Sequence, residues 1–181
     1  RIQAGFDAVF VAAGAWNSER LGVPGEDAPG VLYALDYLKR INSGERPALG
    51  ERVIVIGGGS VALDAARTAR RTGSKEVHVV CLETRDLASG DRMPALDHEI
   101  QQAEEDGSFN PKYDESSPSP SLPADSVIIA VGQTAEPSPF TPGDTIFEAG
   151  DMVEGPSKVI QAVFSARRAV RDIEKALRPM Q

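Results

Sequence analysis

The sequence of 181 residues predicts an α/β fold built around a parallel sheet, and three observations carry this prediction. A β-branched run at 53–56 predicts a strand buried on both faces, which is typical of parallel sheets. Gly57, Gly58 and Gly59 follow at once and lead into a segment whose apolar residues have helical spacing. A second apolar run at 76–83 comes after that helix. Strand, helix and strand together form one βαβ unit.

The glycine cluster has the composition of a dinucleotide-binding turn. Gly57 permits the tight turn, Gly59 lets the backbone approach a diphosphate, and Ala62 stands where a third glycine usually lies. We expect the backbone N–H groups of Ser60 and Val61 to face the phosphates, with the positive end of the helix dipole behind them. The alternative is a glycine turn in an ordinary α/β protein. The sequence thus predicts a Rossmann-like, three-layer dinucleotide-binding domain.

The end of the second strand predicts which dinucleotide is bound. Glu83 lies about twenty residues after the glycine turn, where an acidic side chain meets the adenosine ribose. A carboxylate accepts hydrogen bonds from both ribose hydroxyls and repels a 2′-phosphate, which favours NAD(H) over NADP(H). Arg85 stands close by and suits a 2′-phosphate, so both cofactors remain open. The alternative for Glu83 is a solvated charge at a strand end.

Composition excludes several classes of function. The chain is 41% hydrophobic and 25% charged, which is ordinary for a globular protein, and its net charge of −8 argues against a nucleic-acid surface. No apolar stretch reaches the length of about 18 residues that a membrane span needs. Cys81 is the single cysteine, which excludes a disulfide framework and a C-x-x-C redox pair. We therefore expect a cytoplasmic protein.

The remaining elements follow from apolar periodicity and turn signals. We predict strands within 5–14, 125–131 and 145–151, and helices over 31–41, over 95–106 and after Pro156. The helix over 95–106 is predicted to be acidic and exposed, with His98 solvated upon it. The last helix is predicted to carry one continuous apolar stripe: Val159, Ile160, Val163, Phe164, Val170, Ile173 and Leu177.

Several motifs in fixed order resemble one family. The sequence is similar to the pyridine-nucleotide-dependent flavoprotein subunit related to the glutamate synthase small (beta) subunit. The matching segments cover most of the chain and are specific together, whereas any one alone is weak. They are 6–16 (FDAVFVAAGAW), 21–27 (LGVPGED), 57–64 (GGGSVALD), 93–95 (MPA), 124–133 (ADSVIIAVGQ) and 147–151 (FEAGD).

This resemblance implies a nicotinamide-nucleotide domain inserted into an FAD domain. We assign 19–142 to the NAD(P)-binding domain, and 1–18 together with 143–181 to parts of the FAD-binding domain. The resemblance also implies the remaining cofactor contacts. Gly150 and Asp151 would lie at the flavin, the helix start at Ser157 and Val159 would face the isoalloxazine, and Gly132 would belong to the cofactor-binding set.

The resemblance further implies that NAD(P)H passes hydride to FAD and onward to an iron–sulfur or glutamate-synthase-large-subunit-like partner. The chemistry belongs to the cofactors, so we predict neither a catalytic side chain nor a metal site. The family's glycine turn for FAD is not found in this sequence, and we therefore expect the isolated chain to hold flavin poorly and to lack turnover. The alternative function is a non-catalytic NAD(H)-binding module without bound flavin.

Overall fold

The computed structural model describes residues 5–84, 90–107, 121–138, 140 and 145–178. The chain divides into two compact units, one holding 18–132 and the other holding the residues before and after that range. The elements are β1 (Val9–Val11), β2 (Asn17–Ser18), β3 (Val31–Tyr33), α1 (Ala34–Asn42), β4 (Arg52–Ile56), α2 (Ser60–Arg71), β5 (Glu76–Val80), α3 (Asp97–Glu105), β6 (Ser126–Ile129), β7 (Gln133–Thr134), β8 (Ile146–Glu148), α4 (Asp151–Glu154) and α5 (Val159–Leu177).

The unit 18–132 is built on a four-stranded sheet in the order β3-β6-β4-β5. Every pair in this sheet is parallel. Val53 and Val55 of β4 are completely buried, and helices α1 and α2 contribute the other side of the same core. The buried face of α2 consists largely of alanines, which lets the helix lie close to the sheet: Ala62, Ala65, Ala66 and Ala69. The predicted α/β fold with a parallel sheet is confirmed.

Two predictions for this unit are wrong in part. The segment 31–41 is not one helix, because 31–33 form the edge strand β3 and only the rest is α1. Pairing with β6, which lies far away in sequence, decides the conformation of these residues over their local helical spacing. The helix over 95–106 is shorter and is not simply exposed. Ile100 and Ala103 of α3 are buried in a second apolar cluster with Leu63 of α2.

In the other unit, β1 and β8 form a two-stranded parallel sheet, in which Phe10 is paired with Phe147. The predicted strand within 5–14 is therefore limited to three residues. Helix α5 forms where it was predicted, but its apolar stripe is largely exposed, and its buried residues are Ser165 and Ala169. The short helix α4 was not predicted.

The strands β2 and β7 form a separate two-stranded sheet. The assignment of 19–142 to the nicotinamide nucleotide, and of 1–18 and 143–181 to FAD, stays a prediction. Among the described helices, none is both long enough and apolar enough to cross a bilayer.

Candidate dinucleotide-binding site

The turn between β4 and α2 is fixed by close packing against β6. Gly57 has a φ of +134°, and a Cβ on it would lie 2.2 Å from the carbonyl oxygen of Ala130. Its N–H donates to the carbonyl of Val80 at 2.8 Å, which ties the turn to β5. Only glycine satisfies both the positive φ and the close approach. Gly57 therefore shapes the turn, and its own N–H is already engaged by the Val80 carbonyl.

Free backbone donors line the start of α2. The N–H groups of Gly58, Gly59, Ser60 and Val61 find no acceptor in the described part of the chain, whereas the N–H of Ala62 donates to the Gly59 carbonyl at 2.9 Å. The first turn of α2 carries no acidic side chain of its own. Unpaired N–H groups and the positive end of the helix dipole together favour a bound anion such as a diphosphate.

Gly59 leaves open space in front of these donors. A Cβ built on Gly59 would meet only the Cγ of Pro94, at 3.9 Å. Its φ of −89° is accessible to any residue, so the backbone does not demand glycine here. The N–H of Ala95 donates to the Gly58 carbonyl at 3.3 Å, which holds the 93–95 segment beside the turn. The backbone conformation therefore does not require glycine at 59, and the open space there is what close approach of a diphosphate would need.

Glu83 lies directly beside the glycine turn. A Cβ on Gly58 would be 2.8 Å from Glu83 Oε2 and 3.2 Å from the Cβ of Cys81. Strand β5 ends at Val80, so the predicted strand to residue 83 is too long, and 81–83 leave the sheet. The structure brings the predicted ribose-binding acid next to the predicted phosphate donors. Arg85 lies outside the described residues.

Burial and the neighbouring Glu83 raise the pKa of the Cys81 thiol. Its Sγ lies 3.5 Å from the Glu83 carbonyl oxygen, and the residue packs against the cluster around Leu63. A thiol with a raised pKa is a poor nucleophile at neutral pH. These features favour a packing role for Cys81.

One residue that sequence reasoning missed is Glu99. Its Oε2 accepts a hydrogen bond from the Ser60 hydroxyl at 2.5 Å and another from the Leu96 N–H at 2.9 Å. The contact joins the first turns of α2 and α3 and occupies the Ser60 hydroxyl, so the N–H of Ser60 remains as its outward donor. Burial and Glu99 together raise the pKa of the Asp64 carboxyl. The sequence signal for Glu99 is its place in the first turn of a helix, where an acid caps the backbone.

Gly132 follows β6 on the side of the sheet where the carboxyl ends of the strands lie. Its φ is +145°, and a Cβ there would be 2.8 Å from Glu19 Oε2. Its carbonyl accepts a hydrogen bond from the Glu19 N–H at 3.0 Å. Because β4 and β6 are parallel, Gly132 and the glycine turn belong to the same edge of the sheet. A cofactor contact at Gly132 stays a prediction.

The four predicted flavin residues of the other unit lie along the segment from the residue before α4 to the first residue of α5. The N–H of Gly150 donates to Ser165 Oγ at 3.0 Å, and Asp151 Oδ1 accepts a hydrogen bond from the Ser157 hydroxyl at 2.8 Å. Gly150 has a φ of +76° and open space where a Cβ would stand. Val159, the first residue of α5, is 81% exposed. Within the described residues, no group of three or more His, Cys, Asp or Glu side chains could hold a metal ion.

Comparison with known proteins identifies the family. Residues 2–107, more than half of the chain, match the family described as pyridine nucleotide-disulphide oxidoreductase. The chain belongs to that family. This agrees with the resemblance that the motifs indicated.

Two curated relatives and one solved structure are similar to the chain. The NADP(+)-dependent formate dehydrogenase subunit beta of Moorella thermoacetica is 32% identical over 98% of this chain and 33% of its own length. The glutamate synthase [NADPH] small chain of Halomonas elongata is 30% identical over 91% of this chain and 48% of its own length. The chain thus spans a third to a half of these relatives.

The thioredoxin reductase of Lactococcus lactis superposes with a TM-score of 0.67 at 20% identity, covering 93% of this chain and 65% of that one. At this identity the likeness speaks for the fold alone. It agrees with the Rossmann-type architecture described above.

Proposed function

We propose that the chain is the nicotinamide-nucleotide-binding portion of a flavoprotein oxidoreductase, which passes hydride from NAD(P)H to FAD and on to an iron–sulfur partner. The observation that carries the proposal is the run of unpaired N–H donors from Gly58 to Val61 at the start of α2. Family membership and relatives named as glutamate synthase small chains support the same function. A large subunit like that of glutamate synthase is the partner these names favour.

The nicotinamide nucleotide fits the residues present. Its diphosphate would take the donors of Gly58 to Val61, and the open space at Gly59 would admit it without a clash. The adenosine ribose would lie toward Glu83, whose carboxylate is an acceptor for two hydroxyls. When bound, the nucleotide supplies the hydride. The chain's own part is to bind and orient it.

FAD fits the second set of residues. Asp151 engages Ser157 through one carboxylate oxygen, Gly150 leaves open space, and the exposed start of α5 offers the positive end of a helix dipole. We propose that these residues contribute part of the flavin site of the complete protein. The flavin, when bound, supplies the electron-accepting ring.

We propose a preference for NADH over NADPH. The names of both relatives carry NADP(H), but the carboxylate of Glu83 stands beside the turn, where a 2′-phosphate would meet a like charge. The test is titration of the purified chain with NADH and with NADPH. We expect the wild type to bind NADH more tightly than NADPH, and the difference between the two affinities to be smaller in Glu83→Ala. Equal affinity of the wild type for both nucleotides would contradict the preference.

Gly59→Ala tests the diphosphate site itself. The methyl group meets only Pro94 in the protein, so folding should be unaffected, but it projects into the space that the diphosphate would need. We expect NADH affinity to fall at least about tenfold, the loss of roughly one charge-assisted hydrogen bond. Gly90→Ala is the matched control, because a Cβ on Gly90 meets nothing within 4 Å. Unchanged NADH affinity in Gly59→Ala would argue against a diphosphate at this turn.

The second candidate function is a non-catalytic NAD(H)-binding module without bound flavin. The dinucleotide turn lies entirely in the unit 18–132, which favours binding that is independent of flavin. The two functions differ in one measurement on the complete protein that contains this chain. With added FAD and an artificial electron acceptor, the absorbance of NADH should fall with time for the enzyme and stay constant for the module.

A further inference from the structure

The unit that contains β1 and β8 has a buried carboxylate oxygen, on Glu148, whose hydrogen-bonding capacity is unsatisfied within the described residues. Among the described residues, Oε1 of Glu148 is buried and makes no hydrogen bond. Glu148 ends β8 beside Val11 of β1. The alternation of a strand places it on the same face as Ile146, which is only 8% exposed, and opposite Phe147. An unsatisfied buried acceptor costs stability, so its retention calls for an explanation.

The position of this oxygen points to a ligand. Strands β1 and β8 are parallel, so Glu148 and Val11 mark the same edge, at the carboxyl ends of both strands. Ligands of open parallel sheets bind beyond that edge. Two and three residues after Glu148 come Gly150, whose missing side chain leaves open space, and Asp151, whose Oδ1 accepts a hydrogen bond from Ser157. The unpaired acceptor is thus followed, within three residues of the chain, by an open backbone position and a second carboxylate.

The chemistry of the acceptor narrows the ligand class. A carboxylate repels a phosphate and needs a hydrogen-bond donor such as a hydroxyl. A metal ion would need further ligands, and no suitable group of side chains occurs in the described residues. A polyol chain supplies several hydroxyls without charge.

We propose that Glu148 is a flavin-binding residue that accepts a hydrogen bond from a hydroxyl of the ribityl chain. This inference rests on the proposed function, because it assigns Glu148 to the flavin site of the same protein. Glu148 would then be a second carboxylate, besides that of Asp151, that contacts the flavin. It also explains why the polar side chain persists in a strand whose neighbours on that face are apolar.

The test compares flavins with and without the polyol chain. Wild type, Glu148→Ala and Glu148→Gln are titrated with lumiflavin, riboflavin and FAD, and binding is followed by quenching of flavin fluorescence up to millimolar ligand. We expect Glu148→Ala to bind riboflavin and FAD about ten- to hundredfold more weakly and lumiflavin equally well. Glu148→Gln keeps a neutral acceptor and should lie in between. Glu174→Ala is the control, an exposed carboxylate on α5.

Thermal unfolding of the ligand-free proteins is the second readout. Removing an unsatisfied buried carboxylate should leave the Tm of Glu148→Ala equal to or above that of the wild type. Weaker riboflavin binding with an undiminished Tm supports the proposal. Unchanged riboflavin affinity in Glu148→Ala, an equal loss with lumiflavin, or no riboflavin binding by the wild type would overturn it. NADH titration of the same proteins tests the proposed function separately, because the glycine turn lies in the other unit.

Discussion

Gly57 and Ala130 lie so close that a single added methyl group on Gly57 would come within 2.2 Å of the Ala130 carbonyl oxygen. The two residues directly follow the neighbouring strands β4 and β6, and the N–H of Ala130 in turn donates to the carbonyl of Ile56 at 2.8 Å. This contact places the start of α2 over the carboxyl edge of the sheet. The unpaired N–H groups from Gly58 to Val61 are positioned by this contact.

Gly57→Ala should therefore destabilise the fold itself. The substitution combines a positive φ with a clash against backbone that cannot move without disturbing two strands. We expect the free energy of unfolding to fall by about 3 kcal/mol or more, measured by urea denaturation. Gly59→Ala should change the same quantity by less than about 1 kcal/mol. Similar losses in both variants would show that the clash does not decide the stability of the turn.

The thiol of Cys81 should report on the occupancy of the site. Burial and Glu83 raise its pKa, so we expect slow alkylation by iodoacetamide near neutral pH, measured by mass spectrometry. Glu83→Gln removes the neighbouring charge, lowers the thiol pKa and should accelerate the reaction. NADH should slow it, because Cys81 lies beside Gly58. Alkylation that NADH does not affect would argue against a nucleotide at this turn.

The elements around the glycine turn could be predicted because local and tertiary preferences agree there. Residues 53–56 favour a strand by composition, and the buried centre of the sheet accepts them. Glycine stands where the backbone has a positive φ, and alanines stand where α2 approaches the sheet. Each local preference supports the same structure, which is the condition under which sequence patterns are dependable.

The remaining features depend on partners that sequence spacing does not show. The strand β3 owes its conformation to β6, and the role of Glu99 depends on α3 lying beside α2. The buried face of α3 is limited to Ile100 and Ala103, which is too short a pattern to outweigh its acidic residues. The apolar residues of α5 were predicted to form one stripe. Whether that stripe is exposed depends on what packs against the helix, and the spacing of the residues does not show this.

Asp125 should make stability depend on pH at the acidic end. The Arg52 guanidinium and the Arg52 N–H hold the pKa of the Asp125 carboxyl at about 2, below its ordinary value of 3.8. The folded state thus favours the ionised carboxyl. Its contribution is complete above the ordinary pKa and is lost as the pH falls through about 2.

Asp125→Asn should therefore flatten the decline of unfolding free energy between the ordinary and the lowered pKa of this group. Urea denaturation at a series of pH values measures the slope. Asp36→Asn, a change at an exposed carboxylate on α1, is the control and should leave the slope as in the wild type. A slope in Asp125→Asn equal to that of the wild type would mean that the contact with Arg52 is absent in solution.

Leu63 should anchor α3 to the sheet unit. It is 1% exposed and lies in the cluster with Met93, Ala95 and Ile100. Leu63→Ala leaves a cavity under the segment that borders Gly59, and we expect a loss of about 2–5 kcal/mol in unfolding free energy. NADH affinity should fall as well, since Pro94 and Ala95 would lose their support. Full NADH affinity in a stably folded Leu63→Ala would show that the segment does not contribute to the site.

The exposed stripe of α5 should make the chain self-associate. Ile160 is 75% and Phe164 is 63% exposed, and contiguous apolar surface of this kind promotes association in water. Phe164→Glu should lower the weight-average mass in sedimentation and the fluorescence of bound ANS, while changing unfolding free energy by less than about 0.5 kcal/mol. Ala169→Glu is the contrasting variant on the same helix. Ala169 is only 7% exposed, so a charge there should lower the free energy of unfolding by about 3 kcal/mol or more and unfold the unit. If both variants behaved alike, the stripe would be covered in solution rather than exposed.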